Sequence, residues 1–285
     1  MMTALVTTFD VDGQLDKLAM RESVRFQLQQ GIAGLCPLGG TGEPLSLTLT
    51  EHKQIIDLVV EEVAGRVPVV VGTLLGSQAD IIECANHAKA AGADVIMVMP
   101  PCFFGMDTSH TRQHFQTIAD RVGMPMMLFH SPKRSGVRLG ADAILGLLKD
   151  IPLFIAIKES SSDMALVAEL LREAPPEFSV LQGYEECFLP TLALGGHGAV
   201  FSLGCLVPRL LCDLYDAFQT GDITRAQRIQ LEIMPLCRAI YGEPNPGPLK
   251  LALQMVGRNA GSTRAPIYAP SIGTRERLEH LLPVT

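Results

Sequence analysis

The chain has no basic excess: Lys and Arg number 23 against 30 Asp and Glu, a net charge of −7. That excludes the broad positive stripe a nucleic-acid partner requires, so any anionic ligand must meet locally placed donors. No CxxC pair occurs among the seven cysteines (36, 84, 102, 187, 205, 212 and 237), and a chain of this size needs no disulfide staples. They read as reduced thiols, and the expected location is cytoplasmic. No apolar run approaches membrane-spanning length, and the opening MMTALVTTFDVDG reaches acidic and turn residues too soon for a signal peptide, so no membrane partner is expected. No linker or low-complexity tract interrupts the chain. What is there is 285 residues with 47% hydrophobic content, enough to bury one barrel-sized core or two ordinary ones.

Short apolar, β-branched runs recur between stretches with apolar residues at three- and four-residue spacing. Eight fall at 4–8, 34–37, 67–72, 95–99, 125–130, 154–159, 179–183 and 199–202. The fourth and fifth are mostly apolar throughout, as a strand covered on both faces should be. Eight β-α units favour a closed (β/α)8 barrel over a doubly wound open sheet, whose Gly-rich dinucleotide turn the first unit lacks. Thr50 is a candidate cap for the helix ending at Gly65, and Ser77 with Asp80 forms an S-x-x-D start for the helix ending near Gly92. After about Thr220 the strand-like runs stop, and helical patterns continue at 223–240, 246–256 and 274–282. The expected organisation is an α/β barrel over 1–220 with a C-terminal helical extension over 221–285.

In such a barrel the reactive groups sit at the C-terminal ends of strands. The clearest candidate is Lys158, which ends the run Ile155-Ala156-Ile157-Lys158-Glu159. An amine placed in the barrel mouth is desolvated, its pKa falls, and the neutral form attacks a ketone carbonyl. From spacing alone two readings stay open: this nucleophile, or a lysine paired with a carboxylate such as Glu159 or snorkelling to the rim. The turn Leu38-Gly39-Gly40-Thr41-Gly42-Glu43 follows the second run, and its glycines let backbone N–H groups approach a carboxylate while Thr41 adds a hydroxyl. An ordinary βα turn is the alternative. It lacks the lysine of a phosphate loop.

Together with Pro100-Pro101, Pro132 to Gly136 (P-x-R-S-G), Gly195-Gly196-His197-Gly198 and Glu243-Pro244-Asn245-Pro246, these motifs resemble the dihydrodipicolinate synthase and N-acetylneuraminate lyase family of aldolase-type enzymes. The resemblance covers nearly the whole chain. It implies a TIM barrel with a helical extension, usually a homotetramer built as a dimer of dimers, with no metal or organic cofactor. It implies a covalent imine between Lys158 and pyruvate or another small 2-oxo acid. Gly40 and Thr41 then hold the acid's carboxylate, Arg134 meets a second acidic group, Val200 touches substrate, and Phe103 and Phe129 shape an apolar pocket.

The sequence also departs from these relatives. Synthases of the family pass protons through a threonine and two tyrosines, and at those positions this chain has Gly40, Phe103 and Phe129. General acid-base help is commonly worth about a hundred- to ten-thousand-fold in rate. Two substitutes are candidates: His130, whose imidazole titrates near neutrality, and Tyr184, at the end of the seventh run. Adjacent strand residues point to opposite faces, so His130 reaches the pocket only if the chain bends at Ser131-Pro132. The leading expectation is a Schiff-base lyase or aldolase. A sugar-acid dehydratase of the same family, or a non-catalytic paralogue that binds a 2-oxo acid, are the alternatives.

Overall fold

The computed structural model describes residues 1–282; the last three positions of the expected extension, 283–285, lie outside the described residues. Eight parallel strands form a barrel: β1 (Met2–Ala4), β2 (Leu35–Cys36), β3 (Val70–Gly72), β4 (Val95–Val98), β5 (Met126–His130), β6 (Phe154–Glu159), β7 (Ser179–Gln182) and β8 (Gly198–Phe201). They pair in the order β2-β1-β8-β7-β6-β5-β4-β3, and a parallel bridge between Leu35 and Val69 brings the two ends together. Seven of the eight runs fall where the apolar pattern puts them. The first strand is instead Met2–Ala4, because Thr7 and Thr8 leave the ladder. Their hydroxyls bond to the carbonyls of Gly42 and Asp16, both at 2.7 Å, so this buried apolar stretch is a loop at the barrel mouth.

The strands read as apolar on both faces because they separate two cores. One lies inside the barrel and contains Ala4, Cys36, Val70, Met97, Met127, Phe129, Ala156 and Val200. The other lies between strands and helices and takes the alternate residues, such as Met126, Leu128, Phe154 and Ile157. Two-residue alternation assigns each side chain to one of them. A register shift at Met126/Met127 leaves Ile155 unpaired and 42% exposed, and it sets the phase of the rest of β6.

Helix starts follow local capping chemistry. The helix Leu49–Val63 begins at Thr48, not Thr50: the Thr48 hydroxyl accepts from Glu51 N–H, and the Glu51 carboxylate accepts from Thr48 N–H at 2.8 Å. This reciprocal pair outcompetes a threonine two residues on. Ser77 caps Gln78–Ala91 as its spacing predicts, and that helix ends on Gly92 at φ +95°. After the barrel's last helix, Pro208–Gln219, come Ile223–Tyr241, Gly247–Met255 and Ile272–Leu281. They fold back onto the C-terminal ends of the strands. Gln230 donates to the Glu185 carbonyl at 3.0 Å, and Arg264 pairs with Glu51 at 2.6 Å while donating to the Gly13 carbonyl. No helix among the described residues is long and apolar enough to cross a membrane.

Candidate active site

The register of β5 on β6 decides which strand-end residues meet. Phe129 pairs with Lys158, and His130 pairs with Glu159. Since Met127, Phe129 and Ala156 face the barrel interior, Lys158 does too, while His130 and Glu159 face the helices. The two pairs therefore stand back to back across one strand thickness.

Lys158 is 6% exposed and lines a cavity of about 570 Å³ at the strand ends. Its Nζ lies 4.8 Å from the centre of the Phe129 ring, which offers a π-face but no proton. No carboxylate among the described residues lies within ion-pair distance of it. The reading in which Lys158 pairs with Glu159 is excluded by that strand's geometry, because Glu159 bonds to His130 on the other face. Burial pushes the Lys158 ammonium below its ordinary value; Cys36 opposes the shift, Arg134 adds to it, and Glu185 opposes it. The Cys36 thiol, pushed up to about 11 by its own burial, is a neutral neighbour at neutral pH.

Around the lysine the cavity collects Gly40, Thr41, Ser131, Arg134, Ser160 and Tyr184 from the barrel, and Tyr241, Glu243 and Asn245 from the extension. A Cβ on Gly40 would lie 2.9 Å from Arg134 Cζ, so the bare turn is what lets the guanidinium lie across it. At Gly183 a Cβ would come within 1.8 Å of the Ser160 hydroxyl, so only glycine lets β7 end this close to β6. Arg134 forms no ion pair among the described residues, and its five donors are available to an acidic ligand. Tyr184 is half-buried, and its burial raises the phenol's pKa while Arg134 lowers it.

Three of the expected site residues fall elsewhere or play another part. His130 is fully buried outside the barrel: Nδ1 lies 2.5 Å from Glu159 Oε2, and Nε2 accepts the Leu139 N–H at 3.1 Å. The chain does not bend at Ser131-Pro132 in the way a catalytic role would need, and both ring nitrogens are spent on structure. Phe103, at φ +77° and 96% exposed, stacks edge-on against Phe104 in a neighbouring apolar groove of about 880 Å³. That groove meets the lysine cavity only along Gly40, Arg134, Asn245 and Ile267. Val200 belongs to the barrel's apolar interior and does not line the cavity. Phe129 lines the lysine cavity.

Three polar side chains were not singled out in the sequence. Ser202 shares a short hydrogen bond with Thr41 Oγ1, Tyr241 donates to Glu185 Oε1 at 3.0 Å, and Glu185 is fully buried. Ser202 had a signal, since it is the polar residue closing the eighth apolar run. Tyr241 had none, because helical periodicity does not say where a helix folds back.

Among the described residues no group of three or more His, Cys, Asp or Glu is arranged to hold a metal ion. The parallel barrel, with a desolvated lysine at the inner end of β6 beside hydroxyls and a free arginine, has the architecture of an aldolase-type barrel lyase. The model of the dihydrodipicolinate synthetase family matches residues 1–284. The 4-hydroxy-tetrahydrodipicolinate synthase of Nitratidesulfovibrio vulgaris is 37% identical over 98% of this chain and 96% of its own. The crystal structure of dihydrodipicolinate synthase from Bacillus anthracis superposes with a TM-score of 0.95 at 30% identity, over 98% of this chain and 96% of its own. A prophage protein of the same family from E. coli K12, solved with pyruvate, gives a TM-score of 0.94 at 28% identity, again over 98% and 96%. The chain belongs to the dihydrodipicolinate synthetase family, and it is a lyase of that family.

Proposed function

We propose that the protein forms an imine between Lys158 and a small 2-oxo acid, pyruvate being the simplest, and uses it to make or break a bond adjacent to the former carbonyl. The observation that carries this reading is the lysine itself: buried, without an acidic partner, and facing a cavity large enough for a small acid. Gly40 and Thr41 receive the acid's carboxylate at a turn whose backbone is exposed for want of side chains, and Arg134 receives the acidic group of a second substrate or of a dicarboxylic one. The imine itself supplies the electron sink, so this chemistry needs no organic cofactor or metal. The prophage relative solved with pyruvate supports the choice of first ligand.

The exposed Phe103, Phe104 and Leu45 border the apolar groove beside the cavity, and we assign that groove to contact with further copies of the chain in a homotetramer. Cytoplasmic residence fits the free state of all seven cysteines. Borohydride reduction in the presence of pyruvate and a panel of other 2-oxo acids, read by intact mass and peptide mapping, tests the central step. One reduced adduct on Lys158 is expected; a chain that takes up none of the acids would refute the Schiff-base reading.

A further inference from the structure

Tyr241 ends the helix Ile223–Tyr241, with its phenol buried in the wall of the Lys158 cavity. Its hydroxyl donates to Glu185 Oε1, which also accepts the Leu203 N–H at 2.9 Å. Ser202 lines the same cavity, and its hydroxyl is joined to Thr41 Oγ1, to which Asn245 Nδ2 donates at 3.4 Å. Two hydroxyl pairs thus border the cavity, Thr41 with Ser202 at the turn and Tyr241 with the buried Glu185 carboxyl. Among the described residues the Tyr184 phenol, which lines the same cavity, makes no hydrogen bond to a carboxylate.

Glu185 has no evident structural reason to be an acid. No Lys or Arg among the described residues pairs with it, and its Oε2 has no hydrogen-bond partner. A glutamine would accept the same two hydrogen bonds without the cost of a buried charge. Burial raises the Glu185 pKa, while Leu203 N–H, the Tyr241 hydroxyl and Lys158 oppose the rise. Burial thus moves the Glu185 carboxyl and the Lys158 ammonium in opposite directions, each toward its neutral form.

We propose that Tyr241, supplied by Glu185, is the proton relay for imine and enamine formation at Lys158, an inference that rests on the reading of Lys158 as the nucleophile. Lys158 Nζ bonds to the carbonyl carbon as the C=O π-bond opens, and the oxygen takes the Tyr241 proton. The nitrogen then returns a proton to the phenolate, leaving a neutral carbinolamine. A second proton, drawn from Glu185 through Tyr241, lets the hydroxyl leave as water. The products are a cationic iminium and a Glu185 carboxylate beside it. Loss of a proton from the adjacent carbon, passed back along the same path, restores the neutral acid and gives the neutral enamine. No redox partner is consumed, and the charge inside the barrel is balanced at every stage.

Rapid-quench borohydride trapping with pyruvate on the full chain, across pH, tests the relay. Tyr241→Phe is expected to slow adduct formation by about a hundredfold or more, with the half-saturating pyruvate concentration and the melting temperature little changed. Glu185→Gln is expected to slow it as well and to remove one ionisation from the pH profile. Tyr241→Phe trapping at the wild-type rate overturns the relay, as does a Tyr184→Phe variant that takes the whole loss in its place. If Tyr241→Phe does not fold, a folded Glu185→Gln with wild-type rate and pH profile overturns it equally. A wild-type protein that traps no 2-oxo acid at all refutes the nucleophile, whereas one that traps normally alongside an unimpaired Tyr241→Phe refutes the relay alone.

Discussion

Two lysines are buried in this protein, and they are buried differently. Lys158 is 6% exposed, with no carboxylate in ion-pair range and a phenyl ring beneath it. Lys250 is 2% exposed, lies 2.7 Å from Glu43 Oε1, donates to the Ser262 carbonyl at 2.9 Å and rests on the Phe9 ring at 4.3 Å. Burial lowers both ammonium pKa values, but at Lys250 the charge of Glu43 and a hydrogen bond to it resist the shift. Depth in the protein therefore does not by itself leave an amine without a counter-charge. What separates the two is whether the fold supplies a counter-charge: Glu43 does so at Lys250, and no carboxylate among the described residues does so at Lys158.

The largest expected effect comes from exchanging the two lysines' fates. Lys250→Met leaves Glu43 buried without its cation and is expected to cost about 3–5 kcal/mol in a urea unfolding curve. Lys158→Met abolishes the borohydride adduct and leaves stability unchanged or raised, since it orphans no paired carboxylate. If the two variants lose equal stability, the contrast fails. Arg134→Ala comes next. A hydrogen-bonded contact with a charged group is worth about 1.5–3 kcal/mol, so binding of a dicarboxylic 2-oxo acid should weaken about ten- to a hundredfold relative to pyruvate. Equal weakening of both acids in a competition assay would place Arg134 on the carboxylate that Gly40 and Thr41 are assigned.

The smallest effect is in pH dependence. Adduct formation should rise with pH and level off below 10.5, the ordinary lysine value, as Lys158 loses its proton early. For stability the sign is fixed by linkage: between the lowered folded-state value and 10.5 the unfolded chain binds more protons at this residue, so its contribution to stability rises with pH. Lys158→Met should flatten that slope in urea curves taken across the window. Lys250→Met should flatten it less, because its pair with Glu43 holds the charge. An unchanged slope in Lys158→Met would mean that the amine is not desolvated.

Much of the barrel was legible because strands and helices carry different apolar periods, and seven of eight runs sit on a strand for that reason. The first did not, since Thr7 and Thr8 satisfy their hydroxyls in the loop and nothing in apolar content distinguishes a buried loop from a buried strand. Lys158, Thr41, Phe129, Arg134 and Tyr184 share one cavity, as strand-end residues of consecutive units should. Phe103 does not join them, because a residue well past its strand end can turn outward, and its positive φ takes it there. Glu185 and Tyr241 meet across 56 positions, a distance that no local pattern encodes.

The sequence by itself determined which lysine stands out: a charged residue closing an apolar strand has few places to put its amine. The two-residue period also argued against His130 and Phe129 sharing a face, and the pairing of His130 with Glu159 decided it. Tertiary structure alone decided the rest of the lysine's surroundings. Pairing of β5 with β6 withheld Glu159 from Lys158 by giving it to His130, and the fold-back of the extension brought Tyr241 to the cavity wall. Both outcomes depend on which distant segments pack together, and the free energy that chooses them is spread over the whole core rather than written at any one residue.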